Sequence, residues 1–248
     1  MANLPGPPVP QAILFATDSR LTQIRTGKTL DTAEKLFPLC VNAGLVLAGN
    51  YEIGKKCVKE LQKKLGGKVM EVEEVITLAH STFKHVSHGR VSRLSFMLGV
   101  YDNEFNQARL IGYEAPDFQP EELRGIRAIG SSRDIQELYK QKFETFVKER
   151  FSHGGVSCHP LEWVNFIQIV LNNAVIELGV DRCIGGLVQT AIIESDGFQW
   201  VGHSVRELNG KWISTNRKNG FWRMVEVDSG KEFIRTEKFP SGFFMISE

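Results

Sequence analysis

The stretch from Ala12 to Asn50, AILFATDSRLTQIRTGKTLDTAEKLFPLCVNAGLVLAGN, decides the fold. Its first apolar run ends at Asp18 and Arg20, and Lys35 opens a second run. Apolar runs without helical spacing predict strands that are buried on both faces. An ionisable group at the end of such a strand must find a partner or stay near solvent. Asp18 and Lys35, on successive strands, are candidates to partner each other.

Composition narrows the function classes. The chain has 248 residues, is 42% apolar and carries a formal net charge of +1, as expected for an ordinary globular protein. A charge near zero gives no whole-chain signature of nucleic-acid or membrane binding. The four cysteines, at positions 40, 57, 158 and 183, lack metal-ligand spacing, and no apolar N-terminal segment resembles a signal peptide. We therefore predict a cytoplasmic protein with no metal, no cofactor, no nucleic-acid partner and no membrane partner.

The chain is predicted to contain one domain, residues 12–248, preceded by a proline-rich extended arm, residues 1–11. Four prolines in the arm exclude a central strand there. The final part of the domain, residues 200–248, is rich in aromatic side chains and is broken by turn signals such as Asn209 with Gly210. This pattern predicts that residues 200–248 form strands or a packed tail.

Local patterns predict the elements in between. A helix is expected from Asn50 to about Leu65, stopped by Gly66, and a second from about Val72 to His88. Residues 93–101 and 109–113 predict a hairpin, and residues 114–122 a loop. A short strand at 124–132, helices at about 133–151 and 160–178, and two strands around the turn at 196–197 complete the pattern.

The opening stretch resembles that of a proteasome-type subunit, from the threonine-nucleophile branch of the N-terminal nucleophile hydrolases. In that family a strand ending in A-D-S-R-x-T precedes a Lys that begins the next strand, and a small-residue turn then enters a helix. The matching positions here are Ala16, Asp18, Ser19, Arg20, Thr22, Lys35 and Gly49. The resemblance implies an α+β fold, a four-layer αββα sandwich with two antiparallel sheets between helix layers.

Two later segments extend the resemblance. Ser131, in RAIGSS, matches a serine that supports the family's catalytic centre, although a serine before a helix is more often only an N-cap. Asp181, in DRCIGG, matches the aspartate of the family's D-x-x-S-G-G motif. The resemblance therefore implies Asp18, Arg20, Lys35, Ser131 and Asp181 as supporting residues of a catalytic centre. Backbone amides near Gly49 are the implied oxyanion donors.

The family's nucleophile has no equivalent in the sequence. Sixteen residues before Asp18 lies Ala2, where the family has threonine, and no Ser, Thr or Cys precedes Thr17. Thr17 occupies a position where the family has alanine, which indicates a packing substitution. Ile184 also replaces the serine of D-x-x-S-G-G, and a hydrocarbon side chain donates no hydrogen bond.

Three interpretations follow from the resemblance. The first is a ring-forming proteasome-like protein related to threonine-type peptidases, with its activity left open. The second is a non-catalytic structural subunit or pseudoenzyme of such an assembly, and the third is an active peptidase whose native start is not Met1. Expected partners are further copies or other proteasome-like subunits, with an unfoldase ATPase as a further candidate. Judged by residue type alone, Asp18, Arg20 and Lys35 could equally form a structural salt-bridge network.

Overall fold

The computed structural model shows an α+β protein. It describes residues 12–18, 20–23, 26–30, 33–88, 91, 93–125, 127–130, parts of 137–148, 189–200, 204–208, 211–218, 221–226 and 229–236. Its strands and helices, numbered in chain order, are β1 (Ile13–Thr17), β2 (Leu21–Thr22), β3 (Thr29–Leu30), β4 (Leu36–Cys40), β5 (Ala43–Gly49), α1 (Tyr51–Leu65), α2 (Val72–Ser87), β6 (Leu94–Asp102), β7 (Gln107–Glu114), β8 (Glu121–Leu123), β9 (Gln189–Glu194), β10 (Gly197–Trp200), β11 (Ser204–Leu208), β12 (Lys211–Lys218), β13 (Phe221–Glu226) and β14 (Glu232–Thr236).

All the strand pairs are antiparallel. The largest sheet has five strands in the order β4-β5-β6-β7-β8, and a second sheet has the order β1-β9-β10. The strands β11 to β14 form a four-stranded meander, and β2 pairs with β3 in a short ribbon. The second sheet joins distant parts of the chain, because Thr17 at the end of β1 lies opposite Gln189 at the start of β9.

Helix α1 begins and ends where its local sequence signals place it. The side chain of Asn50 accepts a hydrogen bond from the backbone N–H of Ile53 at 3.2 Å, which caps the first turn. Gly66 adopts the left-handed conformation at the C-terminus, with φ of 61°. The helix buries an apolar stripe that includes Cys57, Val58 and Leu61 against the five-stranded sheet.

Two cores lie on opposite faces of the five-stranded sheet. On one face, α1 and α2 cover a core that contains Leu45, Phe83 and Phe96, with the Phe83 and Phe96 rings stacked 4.0 Å apart. On the other face, a second core joins this sheet to β1 and β9 and includes Phe15 and Met97. The described part of the chain therefore contains three stacked layers: helices, sheet and sheet.

A pair of glycines lets the two sheets approach closely. Gly44 and Gly99 lie opposite each other on β5 and β6. A Cβ on Gly99 would lie 2.7 Å from the Cδ1 atom of Ile193, and one on Gly44 would overlap the ring of Phe198. Side chains of β9 and β10 thus fill the space that larger residues at 44 and 99 would need.

Several predictions from the sequence are confirmed. Helices α1 and α2, the β6–β7 hairpin, and the strand–turn–strand at β9–β10 appear within about two residues of their expected bounds. The described positions between 137 and 148 are helical, as expected for the helix at 133–151. The arm at 1–11 and the helix at 160–178 lie outside the described residues.

Other predictions need correction. The segment expected to be a loop at 114–122 runs into a short strand, β8, because residues 121–123 pair with the edge strand β7. The strand expected at 124–132 is not formed by the residues described there. The two expected antiparallel sheets are present as β4-β5-β6-β7-β8 and β1-β9-β10, and the described residues add the β11–β14 meander and the β2–β3 ribbon, which were not expected as separate sheets. No helix in the described ranges combines the length and apolar character that crossing a bilayer requires.

Candidate functional site

An ion pair between Asp18 and Lys35 lies where the two stacked sheets meet at one end. Asp18 follows β1 of the three-stranded sheet, and Lys35 precedes β4 of the five-stranded sheet. The Nζ atom of Lys35 donates to Oδ1 of Asp18 at 2.9 Å. Only 13% of the Lys35 side chain and 15% of the Asp18 side chain are exposed. The pair therefore joins two layers in a largely desolvated position.

The backbone around Asp18 fixes its carboxylate. The second oxygen, Oδ2, accepts a hydrogen bond from the backbone N–H of Arg20 at 3.1 Å. Arg20 thus contributes to the site through its main chain, in an Asx-type turn that follows the strand. With both oxygens engaged, the carboxylate has a defined orientation toward Lys35.

Gln189 holds the segment that carries Lys35, a role that no motif or spacing in the sequence indicates. Its Oε1 atom accepts hydrogen bonds from the backbone N–H groups of Lys35 at 3.0 Å and Leu36 at 3.2 Å. Its Nε2 atom donates to the carbonyl oxygen of Ala33 at 2.7 Å. The side chain is 1% exposed. One buried amide therefore satisfies three main-chain groups at the start of β4 and sets the position of the Lys35 backbone.

Gly49 lies at the same end of the sandwich. The backbone N–H of Leu47, two residues earlier on β5, donates to the carbonyl oxygen of Lys35 at 3.0 Å. Gly49 has φ of 96°, and a Cβ there would overlap the carbonyl oxygen of Arg93. Gly130 also reaches this strand end, because a Cβ on it would lie 2.7 Å from the Cβ atom of Ala48. The glycine before Ser131 therefore packs beside the turn that was expected to supply oxyanion donors.

Two expected site residues, Ser131 and Asp181, lie outside the described residues. The structure brings together Asp18, Lys35 and the backbone of Arg20, with Gly49 at the same end. Within the described ranges, no three His, Cys, Asp or Glu side chains gather as a metal-binding set.

The described cysteines are poor candidates for a replacement nucleophile. Cys40 and Cys57 are both buried free thiols. Burial raises the pKa of Cys57 to about 12, and burial also raises the pKa of Cys40 above its ordinary value. The thiolate is the reactive form, so neither side chain is activated at neutral pH.

The geometry defines what the site can do. A lysine ammonium held by a carboxylate offers a fixed positive charge next to any hydroxyl or oxyanion placed beside it. A comparison with protein-family models gives no match, and a comparison with curated proteins gives none either.

Replacing Asp18 by Asn tests the ion pair. The variant keeps the size of the side chain but removes the charge that faces the largely buried Lys35 ammonium. We expect the free energy of unfolding to fall by about 2 kcal/mol, since breaking a desolvated pair is costly. Urea titration measures the change. Asp196→Asn, at an exposed turn position, is the matched control and should shift stability by less than about 0.5 kcal/mol. Equal effects of both variants would show that the pair contributes nothing specific.

Proposed function

We propose that this chain is a proteasome-type subunit, built on the four-layer sandwich of the N-terminal nucleophile hydrolases and related to threonine-type peptidases. The observation that carries the proposal is the ion pair between Asp18 and Lys35, 2.9 Å apart where the two sheets meet. The same two residues match supporting members of the catalytic centre in the resembled family.

The surrounding architecture supports the same proposal. A strand leads to Asp18, Lys35 opens the next long strand, and Gly49 ends a third strand directly before helix α1. Gly130 packs against Ala48, so the segment that leads to Ser131 reaches the same strand end. The three layers of the described residues fit a sandwich whose fourth layer is the predicted helices at 133–151 and 160–178.

Each residue has a role in the proposed centre. The Lys35 ammonium would stabilise the deprotonated form of a hydroxyl nucleophile, and Asp18 would hold that ammonium in place. The backbone amide of Gly49 would donate to the oxyanion of a tetrahedral intermediate. Arg20 would orient Asp18, and Ser131 and Asp181 would support the centre by hydrogen bonding, as the resemblance implies.

Two substitutions favour a non-catalytic subunit as the second candidate. Ile184 replaces a hydrogen-bonding serine of the family motif, and Ala2 lies where the family has its threonine. A native start other than Met1 is the remaining alternative. Under all three interpretations, the expected partners are further copies or other proteasome-like subunits, and an unfoldase ATPase is a further candidate. The expected location is cytoplasmic.

Native mass and covalent labelling together test the proposal. We expect the purified chain to assemble into rings, as the resemblance to proteasome-type subunits implies. Light scattering that gives the mass of a lone subunit at all concentrations would count against it.

Labelling then decides the catalytic status. Intact-mass measurement after incubation with an electrophilic inhibitor of N-terminal threonine should show no adduct for the chain that begins at Met1. An adduct on any residue, lost in Lys35→Met but retained in the exposed control Lys28→Met, would favour an active enzyme instead.

A further inference from the structure

The end of the sandwich opposite to the Asp18–Lys35 pair has an unusual surface. Among the described residues, the exposed large apolar side chains are Val41, Val69 and Phe105, which are 45%, 56% and 68% exposed. They belong to the β4–β5 turn, the α1–α2 connection and the β6–β7 turn. Since strands β4 to β7 alternate in direction, these turns all lie at the end away from Lys35. We call Val41, Val69 and Phe105 the distal surface.

Hydrogen bonds from the buried side chain of Asn42 join the β4–β5 turn to the α1–α2 connection and to the end of β6, which leads into the third turn. Its Nδ2 atom donates to the carbonyl oxygens of Met70 and Tyr101, both at 2.9 Å. Its Oδ1 atom accepts from the backbone N–H of Met70 at 3.1 Å. The backbone N–H of Val41 also donates to the carbonyl oxygen of Lys68 at 3.3 Å. The distal surface is therefore one connected structure.

The most exposed member, Phe105, is held on a rigid turn. Oδ1 of Asp102 accepts hydrogen bonds from the backbone N–H groups of Glu104 at 3.0 Å and Phe105 at 3.1 Å. An exposed aromatic side chain on a turn whose backbone is already held is typical of an interaction surface, because binding then orders little of the backbone.

The cavity beside Phe105 is acidic. It has a volume of about 270 Å³. Its carboxylates are Glu71, Glu73, Asp102 and Glu104. Arg109 also lines it, but its guanidinium already pairs with Glu73 at 2.6 Å and with Glu122 at 3.4 Å. The cavity therefore keeps an excess of negative charge and suits a cationic group that is attached to an apolar one.

The neighbouring turn has the complementary chemistry. Lys68 and Val69 are adjacent and exposed in the α1–α2 connection, and the last turn of α1 adds the exposed Lys63. A cation next to an apolar side chain is what the acidic cavity and Phe105 would accept. The acidic cavity with Phe105 and the complementary pair Lys68 and Val69 therefore lie on neighbouring turns of the same molecule.

We propose that the distal surface binds a second copy of this chain across a two-fold axis. Val69 of each copy packs against Phe105 of the partner subunit, and Lys68 of each copy enters the acidic cavity of the partner subunit. A two-fold contact is self-complementary, so each match occurs twice. The proposal rests on the described turns alone and does not depend on the proposed function.

A charge swap tests the contact by sedimentation velocity over a concentration series. The measured quantity is the doubling of particle mass as the protein concentration rises. The doubling is read in the same way whether single chains or larger assemblies pair. Glu104→Lys and Lys68→Glu should each weaken pairing by at least about tenfold, because each places like charges opposite one another. The double variant should restore pairing, and added salt should weaken it in the unaltered chain. Phe105→Ser should also weaken it by about tenfold.

The control is Glu121→Lys, the same charge change on the exposed edge strand β8, which should leave pairing unchanged. Three results would overturn the proposal: no twofold step in mass, equal effects of Glu104→Lys and Glu121→Lys, or a double variant as weak as the single ones. A ring that persists in Phe105→Ser while the twofold step disappears would support both this contact and the proposed function.

Discussion

Gln189→Leu is expected to lower the free energy of unfolding by about 4 kcal/mol, the largest effect among the substitutions considered. The leucine removes three hydrogen bonds and leaves the N–H groups of Lys35 and Leu36 and the carbonyl oxygen of Ala33 without their partner. Each unsatisfied buried polar group costs about 1 to 3 kcal/mol, and partial relaxation reduces the sum. Urea titration followed by tryptophan fluorescence measures the change.

Gln199→Leu supplies the matched control. Gln199 is exposed on strand β10, and its side chain makes only a 3.4 Å contact with Glu194. Its replacement should change stability by less than about 0.5 kcal/mol. If the two leucine variants had the same urea midpoint, Gln189 would not hold the start of β4 in solution.

Features encoded by neighbouring residues could be predicted from the sequence. Helix α1 is an example, because its Asn50 cap, its apolar stripe and its Gly66 stop lie within one short segment. The β6–β7 hairpin is another, since the polar turn lies directly between two apolar runs. In both elements, local propensity and tertiary burial favour the same structure.

The candidate site could be predicted only in part. Asp18 and Lys35 were recognisable because charged groups at the ends of buried strands need a partner. Gln189 was not, because an isolated glutamine at the start of an apolar run is compatible with many surface positions. Its contact with Lys35 spans 154 residues of sequence, and only the pairing of β1 with β9 brings it there.

The arrangement of sheets was hidden for a similar reason. Alternation of apolar and polar residues within a segment indicates a strand, but it does not indicate which other strand lies beside it. The short strand β8 forms because β7 offers an unpaired edge, which the sequence of residues 121–123 does not reveal. Likewise, Asn42 resembles an ordinary turn residue, yet its buried amide connects the β4–β5 turn to the α1–α2 connection and to the end of β6.

Gly49→Ala is expected to lower the free energy of unfolding by about 3 kcal/mol and to displace the candidate oxyanion donor. With φ of 96°, Gly49 occupies a conformation that is strained for alanine. The added methyl group would also overlap the carbonyl oxygen of Arg93, the residue that precedes the adjacent strand β6. Strands β5 and β6 must therefore separate at the end that carries the site.

Gly66→Ala separates these two costs. Gly66 also has positive φ, 61°, but a Cβ there would have no neighbouring atom within 4 Å. Its replacement should cost only about 1 kcal/mol, from backbone strain alone. Urea titration compares the two variants, and hydrogen exchange at Asn50, whose N–H donates to Arg93 at 2.8 Å, reports the local opening. If Gly49→Ala cost no more than Gly66→Ala and left that exchange unchanged, the strand end would be loose, and a preorganised donor at Gly49 would be ruled out.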